Sequence, residues 1–216
     1  AIGDLTGMEI KAADTIALGT GAQGAKNKAI AIGREASAAE ISDIALGAGA
    51  QAIGTRAVGA DGKAIAIGTN AIANGLSSIA IGTDVGGGAT VGTSNAWNIV
   101  IGTNSGRNVD GTRNIAMGER SGDNVVGHGN VAIGSLQTGV GVQGNNNLAV
   151  AAGGSFSGFN VKGTSNSAFG TNAGAFVEGT NNTSVGARAG YVANGDNNAS
   201  FGSSAGHFVT GGANVA

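Results

Sequence analysis

Residues 30 to 33 read IAIG; the same four residues return at 65–68 and 79–82, and IALG stands at 16–19 and 44–47. A chain that repeats one short phrase folds as a stack of similar units, since each unit meets the same kind of neighbour on either side. Phased on the residue that closes each motif, the series runs Gly19, Gly33, Gly47, Gly68, Gly82, Gly102, Gly118, Gly134, a degenerate Ala151, Gly170, Gly186 and Gly202. The steps start at 14 residues, include one of 21 and one of 20, and then settle mostly at 16. The repeat therefore divides the sequence into 1–82 with mainly 14-residue units, an irregular transition at 83–98, and 99–216 with mainly 16-residue units. A second irregular passage covers 151–166.

Each motif alternates, as in Ile30-Ala31-Ile32 or Ile79-Ala80-Ile81. Period two with β-branched residues predicts strands. Of the 216 residues 43 are glycine, a density that excludes long helices because an interior Gly costs ~1 kcal/mol against Ala. A 14-residue coil has room for two strands of roughly four or five residues and two tight turns. No hairpin chemistry recurs, so the units are expected to stack in parallel, one rung per coil, about 4.8 Å apart. The fold class expected is an all-β parallel roll.

The outer pair of each motif is expected to fill the inside of the coil: Ile16 with Leu18, Ile30 with Ile32, Ile65 with Ile67, Ile79 with Ile81. Near the end the pair trades large for small, Ser167 before Phe169 and Ala199 before Phe201, which predicts Phe169 and Phe201 in the same interior. The middle residue is then expected to face outward. It is persistently small, so Ala31, Ala66, Ala80 and Ala132 become candidates for close contact with another chain. A thin coil cannot offset its chain entropy on so little apolar area, and association of identical rods would supply the rest.

The later units obey G-x3-G-x4-G-x2-N-x-x-x-G, which places one asparagine per rung, among them Asn114, Asn130, Asn182 and Asn198. Such a column predicts an amide ladder at a turn. Seven residues past the closing position stand Val109, Val125, Val177, Ala193 and Val209, an apolar line expected to point inward. One residue earlier, Phe176, Val192 and Phe208 point outward by alternation, toward a neighbouring chain or toward a ligand, with Tyr191 and His207 beside them.

Units such as KAIAIG, SSIAIG, GNVAIG and NNASFG, repeated every 14 to 16 residues, resemble the head repeats of trimeric autotransporter adhesins, the YadA-like head. The resemblance covers essentially the whole sequence, and its specificity comes from repetition, not from any single IAIG. It implies a left-handed parallel β-roll, assembled side by side as a homotrimer and carried on a stalk from the outer membrane of a Gram-negative bacterium. It also implies a non-enzymatic role in adhesion and virulence, through attachment to extracellular-matrix proteins, cells or abiotic surfaces, or through autoagglutination. Ala1-Ile2-Gly3 reads as the tail of a unit and Asn214-Val215-Ala216 as the start of one, so a fragment of a longer fibre is expected. A purely structural spacer, or an ice- or mineral-binding solenoid, would share the same regular rungs.

Other chemistries find little support. A net charge of −2 points to no nucleic acid. The absence of Cys removes disulfides and thiolate metal sites. GTGAQG at 19–24 satisfies G-x-G-x-x-G, but another IAIG follows where a dinucleotide site needs a helix. His128 and His207 stand about five coils apart, too far to share a metal within one chain. Acidic residues such as Asp61, Asp84, Asp110 and Asp196 lack the spacing of calcium rolls. No cofactor, metal or catalytic residue is expected.

Overall fold

The computed structural model describes residues 14–24, 27–39, 44–53, 64–75, 77–86, 96–151 and 156–216. The readings placed on Ala1-Ile2-Gly3 and Asp61, and parts of both irregular passages, lie outside the described residues. The chain divides into two compact units, Ala1–Asn108 and Val109–Ala216. Among the described residues both units are all-β, without a helix, and both are parallel β-solenoids.

In the first unit the motifs form strands Ile16–Leu18, Ile30–Ile32, Ile44–Leu46, Ile65–Ile67, Ile79–Thr83 and Ile99–Thr103. Each lies parallel to the next and in register, Ile16 beside Ile30 and Ala17 beside Ala31, through to Ile79 beside Ile99. A second parallel sheet joins Gln23–Gly24, Ser37–Ala38, Gln51–Ile53 and Ile72–Asn74. The second unit repeats the plan. Its motif strands run from Ile115–Met117 through Val131–Ile133, Leu148–Val150, Ser167–Phe169 and Thr183–Val185 to Ala199–Phe201. Its second sheet pairs Val177–Glu178, Val192–Asn194 and Phe208–Thr210, and single parallel bridges continue it back through Lys162, Gln143 and Val126 to Asp110. The motif strands are mostly three residues long, shorter than expected, because the corners of so small a coil consume the remainder.

The two faces of the motif are the reverse of those expected. The middle residues point into the coil: Ala31, Ala66, Ala80 and Ala132 are all buried, at no more than 4% exposure. The flanking residues lie on the outer face. Ile16 and Ile32 are 45% and 38% exposed, and Leu18, Ile30, Ile65, Ile67, Ile79 and Ile81 are half-buried. Phe169 and Phe201 stand outside with them, at 38% and 58%. The reason is the width of the coil. Gly122 lies opposite Ala116 and Gly139 opposite Ala132, so close that a Cβ on either glycine would stand 2.6 or 2.5 Å from the alanine methyl. Smallness does report a close approach, but what approaches is the opposite wall of the same coil. An Ile or Phe at that phase has nowhere to go.

The rest of the interior follows from the size of the repeat. In the 14-residue coils it is mostly alanine, with Ala22, Ala36, Ala50 and Ala71 as fully buried as the motif alanines. The 16-residue coils are wider and hold a column of Val109, Val125, Val142, Val161, Val177 and Ala193, with Val209 packed against it. This column is the inward line expected from the sequence. Val125→Ala should cost about 1.5–3 kcal/mol, the burial value of a valine, and guanidinium denaturation of the chain measures it.

A second column is polar. Asn114, Asn130, Asn147, Asn166, Asn182 and Asn198 are buried and hydrogen-bonded each to the next. The Oδ1 of Asn166 accepts from both the backbone N–H and the Nδ2 of Asn182, at 3.0 Å each. The Nδ2 of Asn182 also donates to the Gly195 carbonyl at 2.9 Å. Two donors and two acceptances engage each interior amide, leaving little hydrogen-bonding capacity unused in a buried site. The closing glycines are demanded by the same stacking: Gly33 has φ 135°, and a Cβ there would run into the carbonyl of Gly47 on the next rung.

Candidate functional site

Two outward surfaces remain once the interior is assigned. The first is aliphatic. In the first unit the outward members of the motif strands form two rows, Ile16, Ile30, Ile44, Ile65, Ile79 and Ile99 beside Leu18, Ile32, Leu46, Ile67, Ile81 and Ile101, all half-buried or exposed. In the second unit the same face carries Ile115, Val131 and Leu148 beside Met117, Ile133 and Val150, then Ser167, Thr183 and Ala199 beside Phe169, Val185 and Phe201. Branched apolar side chains this dense on one sheet face form a continuous outward apolar surface. The alanines expected there have no surface left to offer another chain.

The second surface lies on the opposite sheet of the second unit. Phe176, Val192 and Phe208 do point outward, with Phe176 41% and Phe208 74% exposed. Aromatic rings follow one another across the rungs. Phe156 meets Phe159 at 5.2 Å between centroids, Phe159 meets Phe176 at 5.6 Å, and Phe176 meets Tyr191 at 5.6 Å, all edge to face. Tyr191 then stacks on His207 at 5.1 Å, and His207 meets Phe208 edge-on at 4.5 Å. Tyr191 and His207, expected as flanking polar contacts, are thus members of the ring series itself. Edge-to-face pairs of this kind add about 0.5–1.5 kcal/mol each to burial.

Beside the rings runs an open trough of about 510 Å³. One wall is the row Asn124, Gly141, Asn160, Phe176 and Val192; the other is Gln143, Lys162, Glu178 and Asn194. These rows stand on either side of the inward Val142, Val161, Val177 and Ala193, and both face outward, with Asn124, Asn160 and Phe176 of the first and Gln143, Lys162, Glu178 and Asn194 of the second exposed. The Lys162 ammonium meets the Glu178 carboxylate at 3.1 Å on the exposed surface, which leaves the trough without net charge. Lysine, glutamate and the amides of these rows were not singled out by the repeat. The signal that could have found them is simple: they are the residues one before and one after each inward valine.

The first wall holds an irregularity. Asn124, Gly141, Asn160 and Phe176 all have left-handed backbone, with φ 54°, 71°, 51° and 56°. Asn and Gly adopt that conformation readily; a phenylalanine does so at a cost of roughly 1–2 kcal/mol. Phe176 therefore keeps a strained backbone to place a ring on the surface.

His128 and Asp196 are engaged in the fold. The Nδ1 of His128 accepts from the Thr112 N–H at 3.0 Å, and the His128 N–H donates to Asn145 Oδ1 at 2.8 Å. Asp196 accepts from the N–H and the hydroxyl of Thr180 at 2.7 and 3.0 Å. Among the described residues no group of three or more His, Asp or Glu is placed to hold a metal ion. GTGAQG runs directly into the strand Gln23–Gly24, which pairs with Ser37–Ala38, so its glycines shape a corner of the coil. No protein-family model, curated protein or solved structure matches the chain.

Proposed function

We propose that the chain is the head segment of a bacterial surface adhesin, assembled side by side as a homotrimer through its aliphatic face. The observation that carries assembly is the double row of outward Ile and Leu in the first unit. A coil filled with alanine buries little apolar area of its own, and packing that face against identical chains adds what the single chain lacks. The order of three, the left-handed turn of the roll, the Gram-negative cell surface and the adhesive role rest on the resemblance of the repeats to YadA-like heads. Under this reading the head is non-enzymatic. It attaches to extracellular-matrix proteins, cells or abiotic surfaces.

Assembly is tested by light scattering on the purified chain. The wild type should weigh three chains. Ile67→Asp with Ile81→Asp buries two carboxylates per chain in the contact and should dissociate it, each unpaired buried charge costing several kcal/mol. A monomeric wild type overturns the assembly. The adhesive role is tested separately, by deleting residues 1–216 from the displayed fibre and measuring attachment. Attachment kept at the wild-type level would make this segment a spacer.

A further inference from the structure

The trough on the second unit has no role in the assembly just proposed, which uses the other sheet. We infer that it binds an uncharged, linear saccharide, with Phe176 as the platform for a sugar ring. The inference deepens the adhesive reading by naming a ligand class for one of its surfaces, and it rests on that reading only for its biological setting.

Four observations converge. Phe176 holds a ring at the surface in a backbone conformation that Asn124 and Asn160 occupy without strain on neighbouring rungs. The ring is 41% exposed on the wall of the trough, an apolar surface open to a ligand. Next, three amides of the trough, Gln143, Asn160 and Asn194, are unspent. Elsewhere on this unit exposed amides serve the fold, as Asn181 does in donating to Asn197 at 3.2 Å, or Asn145 in accepting from His128. Among the described residues no side-chain hydrogen bond engages Gln143, Asn160 or Asn194. A carboxamide offers two donors and an acceptor in one plane, which suits vicinal hydroxyls that both donate and accept. Third, Lys162 and Glu178 neutralise each other, so nothing selects an ionic ligand.

The fourth observation is direction. The trough crosses the strands, passing from Asn124 on one rung to Asn194 four rungs on. Along that line the strand N–H and carbonyl groups are used between rungs: Lys162 N–H donates to the Val177 carbonyl and Gly179 N–H to the Lys162 carbonyl. An extended peptide therefore finds no backbone to pair with, and β-strand addition is excluded. Side chains repeating once per rung, about 4.8 Å apart, instead fit a polymer whose residues are about as long as a rung is tall. A chain of pyranose rings meets that condition. Its apolar ring face would lie on Phe176, and its hydroxyls on Gln143, Asn160 and Asn194.

The test uses the purified full chain and uncharged hexasaccharides of β-1,4-linked glucose, mannose and N-acetylglucosamine, titrated by calorimetry and by amide NMR. At least one should bind, with shifts confined to the trough and an affinity that salt does not change. Phe176→Asn should weaken it by about tenfold or more, as loss of an aromatic anchor does, while the relaxed backbone offsets the lost ring contacts with Phe159 and Tyr191 and the chain keeps its β-sheet dichroism signal. That pairing separates the platform from a fold defect. Failure of all three saccharides overturns the inference, as does undiminished binding by Phe176→Asn, or a random-coil peptide pool shifting the same amides in their place. None of these outcomes touches the deletion test of attachment, so the two readings fail independently.

Discussion

Asn182→Asp should destabilise the second unit by about 3–5 kcal/mol at neutral pH, although it changes a single atom of the side chain. Asn182 is 2% exposed. Its Oδ1 accepts from the N–H and the Nδ2 of Asn198 at 3.0 Å each, and aspartate would keep both acceptances. The loss is on the other side. The Nδ2 donates to the Asn166 Oδ1 at 3.0 Å and to the Gly195 carbonyl at 2.9 Å, and a carboxylate oxygen there would face two acceptors with no proton between them. Two hydrogen bonds become two repulsions, and a charge is buried without a partner. Asn182→Ala removes the amide without burying an ion and should cost less, about 1–3 kcal/mol. The denaturant midpoints of the two variants, read by circular dichroism, give the order. An aspartate variant as stable as the alanine variant would mean that water reaches the ladder.

The second large effect is expected at Ala132. Enlarging a side chain in a packed interior costs ~1–3 kcal/mol when neighbours can move, and more when they cannot. Here they cannot. The wall opposite Ala132 is the backbone of Gly139, close enough that a Cβ on that glycine would stand 2.5 Å from the alanine methyl. Ala132→Leu should therefore exceed that range and prevent the coil from closing, which thermal unfolding and loss of the β-sheet dichroism signal would record. The comparison is Ile133→Ala, one residue along the same strand. Ile133 is 39% exposed, so its truncation should barely move the stability of an isolated chain. In the proposed trimer it should weaken association instead. If Ala132→Leu unfolds like wild type, the alanines lie on a free surface after all.

Much of this architecture was legible in the repeats. Strand, parallel stacking, register, asparagine ladder and valine column all follow from spacing, because stacking brings equal phases together whatever the residues are. What spacing leaves open is which of two alternating faces is inside. Ile30-Ala31-Ile32 is consistent with either answer. Hydrophobicity favours the isoleucines; coil width decides for the alanine. The deciding clue was present as a second glycine column, Gly122, Gly139, Gly158, Gly174 and Gly190, which in the second unit places a residue without a side chain across from Ala116, Ala132, Ala149, Ala168 and Ser184. Small against none describes a wall-to-wall distance too short for anything larger. The same error carried Phe169 and Phe201 inward, since their exchange of volume with Ser167 and Ala199 takes place on the outer face. The trough was less visible still. That Phe176 stands in a backbone conformation suited to Asn or Gly shows only once the coils are phased on the inward valines, which puts it in a column with Asn124, Gly141 and Asn160.

The asparagine column has a consequence for how such a protein changes over generations. Every link in it joins one coil to the next and none reaches further: Asn182 bonds to Asn166 and to Asn198. Removing residues 171–186, one period of 16, would set Asn166 against Asn198 and Ser167 against Ala199, with each bond made again by a residue of the same kind. Recombination between neighbouring repeats in the gene, which deletes or copies whole periods in frame, would thus pass through folding unnoticed. A slip of one residue would not, since it turns the carboxamides out of line and the valines to the surface. The number of coils in the solenoid is in this sense a hereditary variable, adjustable in steps of one.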